Sequence, residues 1–423
     1  MKEDFLHYVW MYKLFHKENL ATTKGEAIHI LKSGTHNTNA GPDFLNASIE
    51  IDNQIWAGNV EIHLKSSDWY AHHHEKDANY DATILHVVFE HDVEVFLRGN
   101  QSLPTLVMKD LIPPSLIQQY QKLANSHSNW IPCGDQIQQV DTFTFSNWKE
   151  RLFFERLERK SLLIHQLLEG QNNDFEAVLF QLLAKNFGLK INGDAFLQLS
   201  RSIDFSIIRK VRTEESQLMA LLFGQAGFLE DELQEAEFIC MKKEYAYLRH
   251  KYNLQSISKH QFSFFRMRPN NFPTIRIAQL ASLYHLHHNL FSNLMQLSKI
   301  EDFYTFFSVS ISAFWQSHYT FDTPSKKSPK KLTKPFVDLL LINTIIPLKF
   351  VFEKQRGIVN TSSILEILNQ VDSEKNSIIS KFEELGISSQ SAFETQALLE
   401  LKNCYCAPKR CLDCAIGNYI LKK

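Results

Sequence analysis

The chain has 423 residues, 44% apolar and 22% charged, with a net charge of -2. These values exclude wholesale disorder and exclude a global electrostatic field that would recruit nucleic acid or membrane; any such attraction has to come from local segregation of charge. The length exceeds one compact core and the 32 Phe supply apolar volume for more than one.

The start, Met1-Lys2-Glu3-Asp4-Phe5, carries acids where a secretory signal needs bases, so a cytoplasmic location is expected and with it reduced thiols. Residues 3–16 read as an amphipathic helix with acids in its first turn. From Ile28 to about Met108 short alternating runs predict strands at Ala47–Ile51, Ile55–Leu64, Ala82–Phe89 and Val93–Leu97. Asp52-Asn53 is hairpin-turn chemistry. Pro113-Pro114, the polar stretch 125–129 and the run to about Gln139 form the way out of this region.

After Phe143 the period becomes 3.6, with helices expected at Trp148–Leu168, Phe175–Phe187, Glu214–Phe228 and Ser362–Val371. The apolar stretch Leu339–Phe352 is too short to span a bilayer. Pro324–Lys331 reads as a mobile surface loop. The expected fold class is α+β. Residues 1–130 would form an α/β domain around a central sheet. Residues 140–320 would form a helical, basic region, and residues 335–423 a helical region ending in cysteines.

The densest chemistry lies between Gly34 and His91. A turn at Asp52-Asn53 pairs residues whose numbers sum to about 105. Asp43 then faces Ile62, or His63 if a bulge sits near Gly58. Glu61, His63 and Lys65 share one strand face. Two carboxylates, Asp43 and Glu61, can hold Mg2+ or Mn2+ with open water positions, and a cation beside them can stabilise charge developing on a phosphate. His72, His74, Asp77 and His86 could instead complete a His/carboxylate metal site with Asp43 and His63.

Pro42-Asp43 followed by Glu61-Ile62-His63 on the next strand resembles the PD-(D/E)xK nuclease superfamily. The order of helix, motif-bearing hairpin and further strand fits it, over about the first hundred residues. The resemblance implies metal binding by Asp43 and Glu61, with His63 at the usual Lys position and Lys65 two residues on. The longer string Gly41–Ala47, Gly58–His63, Ser67-Asp68-Trp69 and Ile84–Val88 resembles an uncharacterised bacterial family, a likeness that supplies no activity.

Between Tyr245 and Ile300 there is no Asp or Glu. Arg266, Arg268 and Arg276 lie there among Phe residues, a pattern suited to phosphate contacts and base stacking by DNA or RNA. A second basic cluster is Lys326, Lys327, Lys330, Lys331 and Lys334. At the end of the chain, Cys404, Cys406, Cys411 and Cys414 suit a closed four-thiolate shell for Zn2+ or a 4Fe–4S cluster, while Cys133 and Cys240 read as isolated core thiols. The expectation is a metal-dependent nuclease. The alternatives are a non-catalytic nucleic-acid-binding protein with a degenerate nuclease fold, and a His/carboxylate hydrolase of small molecules.

Overall fold

The computed structural model describes residues 1–126, 129–358 and 360–423, so the polar stretch 125–129 falls partly outside the described residues. The fold is mixed α+β, with the strands gathered near the N-terminus and helices following. It divides into two compact units, residues 1–148 with 401–423 and residues 149–400. The last 23 residues thus lie in the first unit.

In the first unit, helix α1 (Glu3–Met11) is followed by strands β1 (Ile28–Lys32), β2 (Thr35–His36), β3 (Phe44–Ile51) and β4 (Gln54–Lys65). Then come the short helix α2 (Asp68–Ala71), strand β5 (Thr83–Glu90), strand β6 (Thr105–Val107) and helix α3 (Pro114–Ala124). The sheet order is β1-β3-β4-β5-β6, with β2 also on β3. β1, β3 and β4 are antiparallel, whereas β4, β5 and β6 run parallel. Phe5, Val9 and Trp10 of α1 and Phe44, Ile49, Val60, Ile62 and Val87 of the sheet are fully buried.

The hairpin turns where the sequence directs it. Asp52 and Asn53 both have positive φ, 48° and 64°, which is what a two-residue type I′ turn requires and what short polar side chains tolerate. From Ile51↔Gln54 to Ala47↔Gly58 the paired numbers sum as expected. The bulge, however, lies on β3 rather than near Gly58: Phe44 pairs with Val60, and Asn46, at φ 58°, takes up the extra residue. Asp43 is thereby moved level with Glu61 and Ile62.

Val93–Leu97 is not a strand and contributes only an isolated bridge, Phe96↔Ser102. Its backbone groups are taken partly by side chains and partly by two backbone bonds, Leu97 N–H to the Gln101 carbonyl and Leu103 N–H to the Val95 carbonyl. Ser66 Oγ donates to the Val93 carbonyl, Tyr70 Oη donates to the Glu94 carbonyl, and Tyr70 Oη accepts from Phe96 N–H. The segment so held packs Val95 and Leu103 against Trp69 and Tyr80.

The second unit is helical. Helix α4 (Thr142–Gly170) enters it and is followed by α5 (Phe175–Phe187), α6 (Leu189–Arg201), α7 (Phe205–Val211), α8 (Glu215–Gln225), α9 (Ala236–Tyr252) and α10 (Pro273–Leu286). Asp174 caps α5 by accepting from Glu176 and Ala177 N–H. Phe223 of α8 is fully buried, stacked on Trp315 at 4.8 Å and set edge-on to Phe321 at 5.4 Å.

Lys334–Gln355 is one helical run, long and apolar enough to cross a bilayer, with 72% of its apolar window buried in the protein as in a core helix. Lys160 donates to the Ile342 carbonyl and to Asn343 Oδ1 within this unit, both at 3.0 Å. Burial, reinforced by Arg156, pulls the Lys160 ammonium down from 10.5 to about 7. Below about pH 7 both folded and unfolded chains carry this proton. Between 7 and 10.5 only the unfolded chain keeps it, so stability rises with pH across that window. Lys160→Met is expected to flatten this rise, read as urea midpoints measured from pH 7 to 10; an unchanged slope would rule the assignment out.

Candidate functional site

Two short elements and one hairpin build the site in the first unit. On β4, Glu61 and His63 point to one side and are buried, at 4% and 1% exposure. The bulge at Asn46 locks Asp43 to this strand reciprocally: Asp43 N–H donates to Glu61 Oε2 at 3.0 Å, and Ile62 N–H donates to Asp43 Oδ2 at 2.9 Å. Each carboxylate is oriented by backbone next to the other.

The loop after α2 supplies the remaining donors. Trp69, fully buried, pins α2. His73 then adopts a left-handed conformation, φ 62°, which turns His72 and His74 toward His63. His63 Nε2 lies 3.1 Å from His72 Nδ1 and 3.5 Å from Glu61 Oε1, and His74 Nε2 lies 3.3 Å from the same Glu61 oxygen. His74 is held in place by stacking on Tyr80, ring centroids 3.8 Å apart. His63, His72 and His74 each offer a ring nitrogen, all within 4.8 Å of one another.

Behind this group, His86 Nε2 sits 2.8 Å from His63 Nδ1, fixing the imidazole so that Nε2 faces the other donors. On the far side, α1 brings Glu3 and His7, one helical turn apart, toward Asp43; His7 Nε2 is 3.2 Å from Asp43 Oδ2.

The electrostatics follow from this crowding. Burial, with the Asp43 charge beside it, lifts the Glu61 carboxyl above its usual range despite the His74 contact. Burial and the neighbouring His74 and His72 push His63 down to about 3, and burial next to His63 takes His86 well below its normal value. Burial brings Glu3 up to about 7. Burial would lower His7, but hydrogen bonding and charge from Asp43 outweigh it and raise it. His74 Nε2 and His86 Nδ1 are buried without a hydrogen-bond partner among the described residues, although such atoms are rarely left unsatisfied.

The distances have a simple chemical meaning. Donors 2.0–2.1 Å from a tetrahedral metal lie about 3.3 Å from each other. Three of the six edges, the separations of 3.1, 3.3 and 3.5 Å linking His72, His63, Glu61 and His74, match that length, and the three imidazole nitrogens lie within 4.8 Å of one another. A donor set of imidazoles plus one carboxylate suits Zn2+ or Mn2+ better than Mg2+, which prefers oxygen.

The sequence-derived residues divide accordingly. Asp43, Glu61 and His63 are brought together, but Asp43 faces His7, while the imidazole group gathers on Glu61. Lys65 ends β4 exposed, with its backbone N–H donated to Asp68. Asp77 leaves the group and caps the turn at Ala78–Tyr80. His86 stands one layer behind. Nothing in the local pattern singled out His7 and Glu3; a helix-period reading that placed both on the face toward the sheet would have found them.

In the second unit, Arg266 and Arg268 are exposed. Arg276 is corrected: it is 5% exposed, donates to Gln279 Oε1 and Asn271 Oδ1, and lies 3.6 Å over the Phe336 ring. α10 is buried along nearly its whole length, so this guanidinium serves the interior. Lys330 is corrected as well: it is 6% exposed and its ammonium is bound by carbonyls of Trp315 and His318.

The cysteines also regroup. Cys406, Cys411 and Cys414 line a small cavity with Cys133, and Cys404 does not line it. Cys133 is therefore no isolated core thiol. Burial and the neighbouring Cys414 and Cys411 raise Cys133 to about 12, and burial beside Cys414 raises Cys411 to about 11.

Residues 3–377 match a family model described as "Protein of unknown function (DUF2851)". No curated protein and no solved structure matches the chain.

Proposed function

We propose that this chain, which belongs to the DUF2851 family, is a metal-dependent hydrolase whose substrates are phosphodiesters. The observation that carries the reading is the run of separations, 3.1, 3.5 and 3.3 Å, that links His72, His63, Glu61 and His74 in one buried cluster of three imidazoles and a carboxylate. A divalent ion bound there would polarise a phosphoryl oxygen and acidify a coordinated water. His63, backed by His86, would keep its nitrogen aimed at the ion. The Asp43–His7 pair, whose proton is retained above the usual imidazole range, is suited to give a proton to a leaving oxygen. His72 is exposed and marks the side open to substrate.

Kinship with the PD-(D/E)xK nucleases is supported by the order of α1, the β3–β4 hairpin and the parallel strand β5, with Asp43 and Glu61 at the motif positions. The imidazole at residue 63 shifts the metal preference away from Mg2+. A cytoplasmic protein acting on DNA or RNA is consistent with the acid-free stretch and the exposed Arg266 and Arg268.

The test is hydrolysis of single- and double-stranded DNA, RNA and bis(p-nitrophenyl) phosphate after chelation and return of single metals. Mn2+ or Zn2+ is expected to restore cleavage. No cleavage with any metal would sink the hydrolase reading, and cleavage of the small diester alone would favour a small-molecule substrate. Arg266→Ala with Arg268→Ala is expected to weaken nucleic-acid binding and reduce the log–log salt slope by about 1.8 for two lost duplex phosphate contacts. An equal slope in the variant would place the binding surface elsewhere.

A further inference from the structure

We infer that Cys133, Cys406, Cys411 and Cys414 form a four-thiolate site for one zinc ion, with Cys133 taking the position that spacing alone gives to Cys404. These four thiols line a single cavity of about 10 Å3, together with Pro132, Tyr405 and Arg410. A single ion held by four thiolates is the smallest group that such a cavity would take. Three of the four, Cys133, Cys406 and Cys414, are buried. The cavity lies within the first unit, where residues 401–423 join the N-terminal 148.

The surrounding backbone is shaped for this closure. Leu401–Cys406 is a π-helical turn, and the wider turn rotates successive side chains less far than an α-turn. It leaves Cys406 buried and Cys404 half-exposed. Lys402 donates to the Trp130 carbonyl at 2.7 Å and lies over the Trp130 ring, which draws this turn to the segment bearing Cys133.

On the other side, a Cβ at Gly417 would stand 2.0 Å from the Cys411 carbonyl oxygen. Only glycine lets the Cys411–Cys414 loop lie back on the helix Ala415–Leu421. Asn418 Nδ2 holds that loop by donating to the Leu412 and Cys414 carbonyls, each at 3.0 Å. Arg410 lies at the cavity wall, its Nε paired with Asp413 Oδ2 at 3.0 Å. Four protein donors leave no open position, so the site is structural and its binding energy is folding energy for the first unit.

The test uses the full chain purified anaerobically. Cobalt(II) exchanged for zinc reports thiolate ligands by sulfur-to-cobalt charge-transfer absorption, to which the imidazole–carboxylate group contributes nothing. Cys404→Ser is expected to keep the band, and Cys133→Ser to lose at least the contribution of one thiolate in four. Because Cys133→Ser can also fail to fold, wild-type protein is alkylated before and after chelation and read by mass spectrometry. Alkylation of Cys133, Cys406, Cys411 and Cys414 is expected to rise about tenfold on metal removal, while that of Cys404 changes little. Metal-dependent protection of Cys404 with none at Cys133 overturns the inference, as does protein that holds neither zinc nor a cobalt band. Iron with sulfide in the purified protein also overturns it.

Discussion

His74→Phe is expected to keep the first unit folded and to abolish its metal-dependent hydrolysis. The phenyl ring preserves the stack on Tyr80 but removes the nitrogen that faces Glu61 Oε1. Loss of a direct donor should exceed the 10–100-fold cost typical of a residue one layer out, so metal affinity should fall by more than about 100-fold. Glu61→Gln should act similarly, with an added loss of orientation at Asp43 N–H. His86→Asn, which acts through the contact with His63 Nδ1, should fall within about 10–100-fold. Metal content per chain, rate and circular dichroism are measured together. Full metal content and rate in His74→Phe, with an unchanged spectrum, would remove these imidazoles from the site. Activity that survived His74→Phe and required only Mg2+ would return the chemistry to Asp43 and Glu61.

Phe223→Ala is expected to be the most damaging single core change, costing the second unit about 3–5 kcal/mol. The side chain is completely buried and sandwiched among Trp315, Phe321 and Phe228, rigid rings that cannot collapse into the space. On urea unfolding, the midpoint of this unit should fall by about 1 M or more. Phe223→Leu should lose markedly less, because it refills most of the volume. Equal losses for the two variants would show that the ring stacking rather than the volume holds the site.

Much of the fold was legible from local rules. The strand alternation, the left-handed Asp52-Asn53 turn and the pairing that follows from it depend on neighbours in sequence and on backbone sterics. The helices after Phe143 follow from apolar spacing that any water-exposed chain must bury on one side. The convergence of Asp43, Glu61 and His63 was likewise visible, because a hairpin brings nearby residues together at a fixed register.

The rest depended on contacts between distant residues. Asn46 could place the bulge on β3 only because β4 and β2 both pair with that strand. Whether His72 and His74 point inward hung on His73 turning left-handed above a buried Trp69, and no local pattern forces that turn. Arg266, Arg268 and Arg276 look alike in sequence, yet only Arg276 falls on a helix covered on every side. Spacing grouped the four C-terminal cysteines, whereas the cavity in the tertiary structure is lined by Cys133 and not by Cys404. A cavity selects the thiols that reach it in space, and sequence distance carries no information about that reach.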